Sequence, residues 1–130
     1  MVWKGEANVN ALVVDDSRAM RMILSRIMRE LGFETYEAEN GQEALELLQQ
    51  VGSIDLALVD WNMPVMNGLE FILAVRSNPR YADTRILMVT SETDLGNVTE
   101  ALAAGADEYA MKPFDRSMIM DKLELVGLGA

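Results

Sequence analysis

The 130-residue chain contains no cysteine and no histidine. Without cysteine there is no disulfide framework and no thiolate nucleophile. Without histidine there is no imidazole metal ligand, no histidine general base, and no phosphoryl transfer from a histidine of this chain. Basic residues are scarce as well: 11 Lys and Arg stand against 21 Asp and Glu, a net charge of −10. Nucleic acid and anionic membrane surfaces both demand basic surface, so neither is an expected partner. No apolar run approaches the roughly 20 residues a membrane helix requires. The opening MVWKGEANVN also lacks the apolar stretch of a signal peptide. The expectation is a soluble, cytoplasmic protein.

What is present is ordinary globular material. Half the residues are hydrophobic and a quarter are charged, and the length suffices for one core without staples. A single domain over residues 8–126 is expected, with residues 1–7 and 127–130 as loose ends and no effector domain.

Along the chain the hydrophobic period alternates between two templates. NALVV (10–14), FETYEA (33–38), IDLALV (54–59), ILMVT (86–90) and EYAM (108–111) read as strands. Between them, apolar residues recur at helical spacing. Met20, Ile23, Leu24, Ile27, Met28 and Leu31 form one stripe, and Ala44, Leu45, Leu47, Leu48 and Val51 the next. Leu69, Ile72 and Leu73 follow, then a weaker set of Leu95, Val98, Leu102 and Ala106, and finally Met118, Ile119, Leu123 and Val126. Gly32 is the expected stop of the first helix, Asp16 a possible cap at its start, and Asp115 the cap of the last. The ten methionines read as core filler. Five strand–helix pairs result, and strands that are apolar throughout, separated by amphipathic helices, imply a parallel sheet covered on both faces.

The polar residues are informative by position. Asp15 and Asp16 follow the first strand, Asp60 ends the third, Thr90 ends the fourth, and Lys112 follows the fifth. In a parallel sheet these ends share one edge, where open α/β sheets bind ligands. Three converging carboxylates repel, and one lysine cannot neutralise them all; a divalent cation can. An all-oxygen donor set without histidine or cysteine suits Mg²⁺ rather than zinc. With a cation bound, Asp60 can act as a nucleophile toward phosphorus, with Lys112 and the Thr90 hydroxyl facing the phosphoryl oxygens. Each residue alone has a plainer reading as a helix cap, a turn residue or a solvated lysine. Their occurrence together at successive strand ends is what points to a site.

Four motifs carry a resemblance: VVDDS (13–17), LVDWNMPVMNG (58–68), MVTSE (88–92) and EYAMKPF (108–114). Over residues 8–126 the chain resembles the receiver domain of two-component response regulators, in particular the single-domain, CheY-like chemotaxis type. The resemblance implies a flavodoxin-like (βα)5 doubly wound sandwich, with a five-stranded parallel sheet in the order 2-1-3-4-5. It implies that Asp60 accepts a phosphoryl group from a phosphohistidine on a sensor histidine kinase or phosphotransfer protein. Asp16, Asp60 and the backbone carbonyl of Asn62 would hold Mg²⁺, with Asp15 acting mainly through metal-bound water. Lys112 would contact the phosphoryl group, Thr90 would move toward it, and Tyr109 would be the aromatic switch that follows. Asn62 and Glu92 occupy the positions that tune phosphoryl lifetime, in a pairing similar to the fast-turnover chemotaxis type. A cis Lys112–Pro113 bond is implied, and Trp61 is expected to be exposed beside the metal.

The implied output is a monomer whose fourth helix, fifth strand and fifth helix bind a downstream protein. The implied chemistry is limited to the chain's own phosphorylation and dephosphorylation. A phosphorelay intermediate, a phosphate sink or a phosphorylation-independent binding module would share these motifs. There are departures: Ser17 follows the acid pair where the enteric motor-binding type has an aromatic, and Asp94-Leu95 replaces the usual lysine-rich start of the fourth helix. These put binding to a flagellar switch protein in question. A haloacid-dehalogenase-type phosphatase would need an acid at position 62, and a flavodoxin would need a hydroxyl- and glycine-rich loop in place of DDSRAMR.

Overall fold

The computed structural model describes residues 9–91 and 95–128. The strands are β1 (Asn10–Val14), β2 (Glu34–Ala38), β3 (Leu56–Val59), β4 (Arg85–Ser91) and β5 (Glu108–Lys112). All neighbouring pairs are parallel, and the sheet order is β2-β1-β3-β4-β5. The helices are α1 (Arg18–Glu30), α2 (Gly41–Val51), α3 (Gly68–Arg76), α4 (Leu95–Ala104) and α5 (Arg116–Leu125). This is the flavodoxin-like arrangement the resemblance implied.

The two-residue period of a strand sorts the core into two layers. Ala11 and Val13 of β1, Leu56 and Leu58 of β3, and Leu87 and Val89 of β4 point to one face, where α1 and α5 contribute Leu24, Met28, Ile119 and Leu123. Leu12, Val14, Ala57, Val59, Ile86 and Met88 point to the other, against Leu48, Phe71, Ile72 and Ala101 of α2, α3 and α4. Apolar residues in succession were therefore required. A strand facing water on one side would have alternated. The fully buried Phe71 alone contributes about 3 kcal/mol by burial.

Helix ends follow local chemistry. Asn40, Asn67 and Asp115 cap α2, α3 and α5 by accepting the backbone N–H three residues on. At α3 the Glu70 carboxylate reciprocates, accepting the Asn67 N–H and closing a capping box. At α1 the cap is Ser17, whose hydroxyl accepts the Met20 N–H at 3.3 Å. Asp16 does not take that role.

Other positions differ from expectation. Ile23, Leu73 and Leu102 lie 49%, 51% and 40% exposed. A helix on a sheet buries an arc narrower than the apolar stripe of its sequence, and in α4 the innermost position goes to Ala101. Trp61 is buried, packed in the α2–α3–α4 layer and not lying open beside the acids. Leu128, expected in a loose tail, is buried against α5. Its N–H donates to the Leu123 carbonyl at 2.9 Å, with Gly127 at φ +84° making the turn. The expectations for Glu92, Asp94 and residues 1–7 fall outside the described residues, as does the side chain of Leu95.

Candidate phosphoacceptor site

Strand register brings the polar residues to one edge. Val14 lies opposite Val59, Val59 opposite Met88, Thr90 opposite Met111, and Ser91 opposite Lys112. Asp15, Asp60, Thr90 and Lys112 thus stand at the carboxyl ends of four adjacent strands. The Asp60 N–H still donates to the Val14 carbonyl at 2.9 Å, so its backbone continues the β1–β3 ladder one residue past the strand. One carboxylate oxygen from each of Asp15, Asp16 and Asp60 lies within 4.8 Å of the other two.

Asp15 is held at every polar atom. Its N–H donates to the Ala38 carbonyl, and its Oδ1 accepts the Ser17 N–H at 2.9 Å. Its Oδ2 faces Lys112 Nζ at 3.4 Å, and its own carbonyl accepts from Arg21 at 2.7 Å. Asp16 is exposed, and its carboxylate makes no hydrogen bond or ion pair among the described residues. Lys112 Nζ also faces Asp60 Oδ1 at 3.5 Å.

One ammonium shared by two carboxylates, with a third nearby, leaves negative charge in excess. Asp60 registers the imbalance. Its carboxyl is pushed up to about 6, first by burial and then by the negative charge of Asp15, with Asp16 adding to the rise and Lys112 opposing it. These residues fit a hard divalent cation: three clustered carboxylates, oxygen donors only, and too little positive charge among the described side chains. They are the residues that would hold Mg²⁺.

Thr90 is buried, and its Oγ1 has no hydrogen-bond partner among the described residues. An unpaired buried hydroxyl costs roughly 1–3 kcal/mol, so this edge of the sheet holds a donor awaiting an acceptor. Tyr109 is half-buried on β5 with Lys122 Nζ 4.7 Å from its ring centre, while the same ammonium lies 3.4 Å from Glu108 Oε1. Asn62 is exposed in the loop after Asp60. The Lys112–Pro113 bond is cis.

Two further residues shape the site: Gly68, which the sequence places in the loop and at the start of α3, and Arg21, which the sequence does not single out. Gly68 carries no side chain because a Cβ there would sit 2.5 Å from the Asp60 carbonyl oxygen and 3.0 Å from Trp61 Cα. Its N–H donates to the Trp61 carbonyl at 2.9 Å, pinning the loop that follows Asp60 onto α3. Arg21 lies outside the apolar stripe of its helix yet is buried on the inner face of α1.

Comparison with known proteins agrees with this geometry. The family profile "Response regulator receiver domain" matches residues 11–124. A chemotaxis protein CheY homolog of Campylobacter jejuni is 43% identical over 121 residues, covering 92% of this chain and 93% of that protein. Chemotaxis protein CheY1 of Helicobacter pylori is 43% identical over 116 residues, covering 88% and 94%. The solved structure of chemotaxis response regulator CheY4 of Vibrio cholerae superposes with a TM-score of 0.84 at 38% identity, covering 92% of this chain and 99% of that one. The chain belongs to the response regulator receiver family and, within it, to the CheY type.

Proposed function

We propose that the chain is a phosphorylatable signalling switch with Asp60 as the phosphoacceptor. The observation that carries this is Asp60 itself: a nearly buried carboxylate facing Lys112, beside two further acids, with the unpartnered Thr90 hydroxyl at the next strand end. The donor is a phosphohistidine on a sensor kinase or phosphotransfer protein. An Asp60 carboxylate oxygen attacks phosphorus, the P–N bond breaks, and the imidazole nitrogen leaves with the electron pair.

Bound Mg²⁺ supplies charge neutralisation between the carboxylates and the incoming phosphoryl oxygens. Asp16, Asp60 and the backbone carbonyl of Asn62 would hold it, with Asp15 acting mainly through metal-bound water. Lys112 stands within reach of Asp60 and offsets charge on the same oxygens. Thr90 gains the acceptor it lacks, and its displacement opens space for the Tyr109 ring to turn inward. The surface of α4, β5 and α5 changes accordingly and is read by a downstream protein. Hydrolysis of the acyl phosphate at the same site, tuned by Asn62 and Glu92, resets the switch quickly. This chemistry belongs in the cytoplasm and to a monomer, in chemotaxis-type signalling. No helix among the described residues is long and apolar enough to cross a membrane.

The test is intact mass after incubation with acetyl phosphate and Mg²⁺, beside an Asp60→Asn control. One added phosphoryl group, absent with EDTA and absent in the variant, is the expected result. No adduct on the wild-type chain would refute phosphoacceptance and leave a phosphorylation-independent binding module.

A further inference from the structure

Arg21 lies on the inward face of α1, one turn before Ser25, with its side chain only 10% exposed. Burying a guanidinium is costly unless its donors are matched. Here one nitrogen donates to the Asp15 carbonyl at 2.7 Å, the shortest side-chain contact around the acid cluster. The others face Glu37 Oε1 on β2 and Glu39 Oε1 just beyond it, each at 3.6 Å. Those carboxylates neutralise the charge. The contact to Asp15 does something else.

The carbonyl that Arg21 holds belongs to the peptide joining Asp15 to Asp16. Its orientation sets the backbone torsions on either side, and through them the direction of the Asp16 carboxylate. Nothing else fixes that carboxylate, since it makes no hydrogen bond or ion pair among the described residues. We propose that Arg21 is a positioning residue for the cation site: it locks the Asp15–Asp16 peptide so that Asp16 is aimed at the same point as Asp15 and Asp60. This rests on the proposed function only in that the carboxylates must bind Mg²⁺.

Simple electrostatics and positioning predict opposite signs. Deleting a positive charge close to a cation site strengthens cation binding if charge is all that matters. Releasing the peptide weakens it, and loss of a group that orients metal ligands typically costs about 10-fold in metal affinity. The experiment is calorimetric titration of Mg²⁺ into wild type, Arg21→Met and Arg21→Lys, each checked for folding by circular dichroism. Lysine keeps the charge but offers one nitrogen, for which Glu37 and Glu39 compete, so it leaves the carbonyl free.

Wild type should bind Mg²⁺, with Arg21→Met about 10-fold weaker and Arg21→Lys weakened at least 5-fold. If Arg21→Met does not fold, Arg21→Lys decides alone. Wild-type or tighter affinity in a folded variant overturns the proposal while leaving the phosphoacceptor reading intact. Failure of the wild-type chain to bind Mg²⁺ overturns both.

Discussion

Replacing Asp60 by asparagine is expected to stabilise the fold at neutral pH, by an amount that shrinks in acid. In the folded chain this carboxyl rises from 3.8 to about 6, chiefly through burial and then through its acidic neighbours. In the unfolded chain it returns to its ordinary value. Below 3.8 the group is neutral in both states and costs nothing. As pH climbs toward 6 the unfolded chain ionises first, so the folded state loses ground, and above 6 the loss is complete. The gap between 3.8 and about 6 corresponds to about 3 kcal/mol at pH 7.5 and roughly half that at pH 5. Solvent screening removes little of it, because the side chain is only 13% exposed.

The attraction to Lys112 is already contained in that net rise; asparagine instead buries a neutral amide, which offsets part of the gain and leaves Lys112 facing Asp15 at 3.4 Å. The expected gain is therefore between about 1 and 3 kcal/mol at pH 7.5, read from urea unfolding in EDTA-containing buffer. Millimolar Mg²⁺ should narrow or reverse the difference, since the wild-type carboxylate then has a cation to meet. A variant no more stable than wild type at pH 7.5 would refute the idea that the acid cluster is electrostatically strained. So would a gain of equal size at pH 5.

Thr90→Val tests the orphan hydroxyl. With shape kept and the unpaired group removed, the unphosphorylated fold should gain about 1 kcal/mol in urea unfolding, while any phosphorylation-dependent change in Tyr109 fluorescence or NMR shift is lost. Gly68→Ala places a methyl 2.5 Å from the Asp60 carbonyl, where backbone must yield. A loss of about 1–3 kcal/mol is expected, together with slower labelling by acetyl phosphate, and unchanged stability would show that the loop gives way freely.

The sheet and the acid edge were legible in the sequence for one physical reason. A strand buried on both faces must be apolar throughout, so the first charged residue after such a run marks its end, and Asp15 and Asp60 are such markers, while Lys112 closes the half-buried edge strand β5. Parallel strands then bring the markers together without further information. Helix faces were read less well because composition overstates the buried arc: Ile23, Leu73 and Leu102 are as apolar as their buried neighbours, and only packing decides which turn inward. Asp16 and Ser17 are both competent caps, and the choice depends on Asp15 having taken the Ser17 N–H.

Trp61 and Arg21 show the same limit from opposite sides. The tryptophan follows a strand-end acid and was expected to lie open, yet it is buried in the core. Gly68 lets α3 come close against the Asp60–Trp61 backbone, and the indole packs in the layer under α2, α3 and α4. The arginine lies outside the apolar stripe of its helix and is buried nonetheless, because a carbonyl and two acids surround its guanidinium. Both placements depend on tertiary contacts that are invisible to periodicity, and both bear on the acids at the sheet edge. Residues that carry charge at a site announce themselves at strand ends. Those that hold the site in shape are found only where the chain folds back upon it.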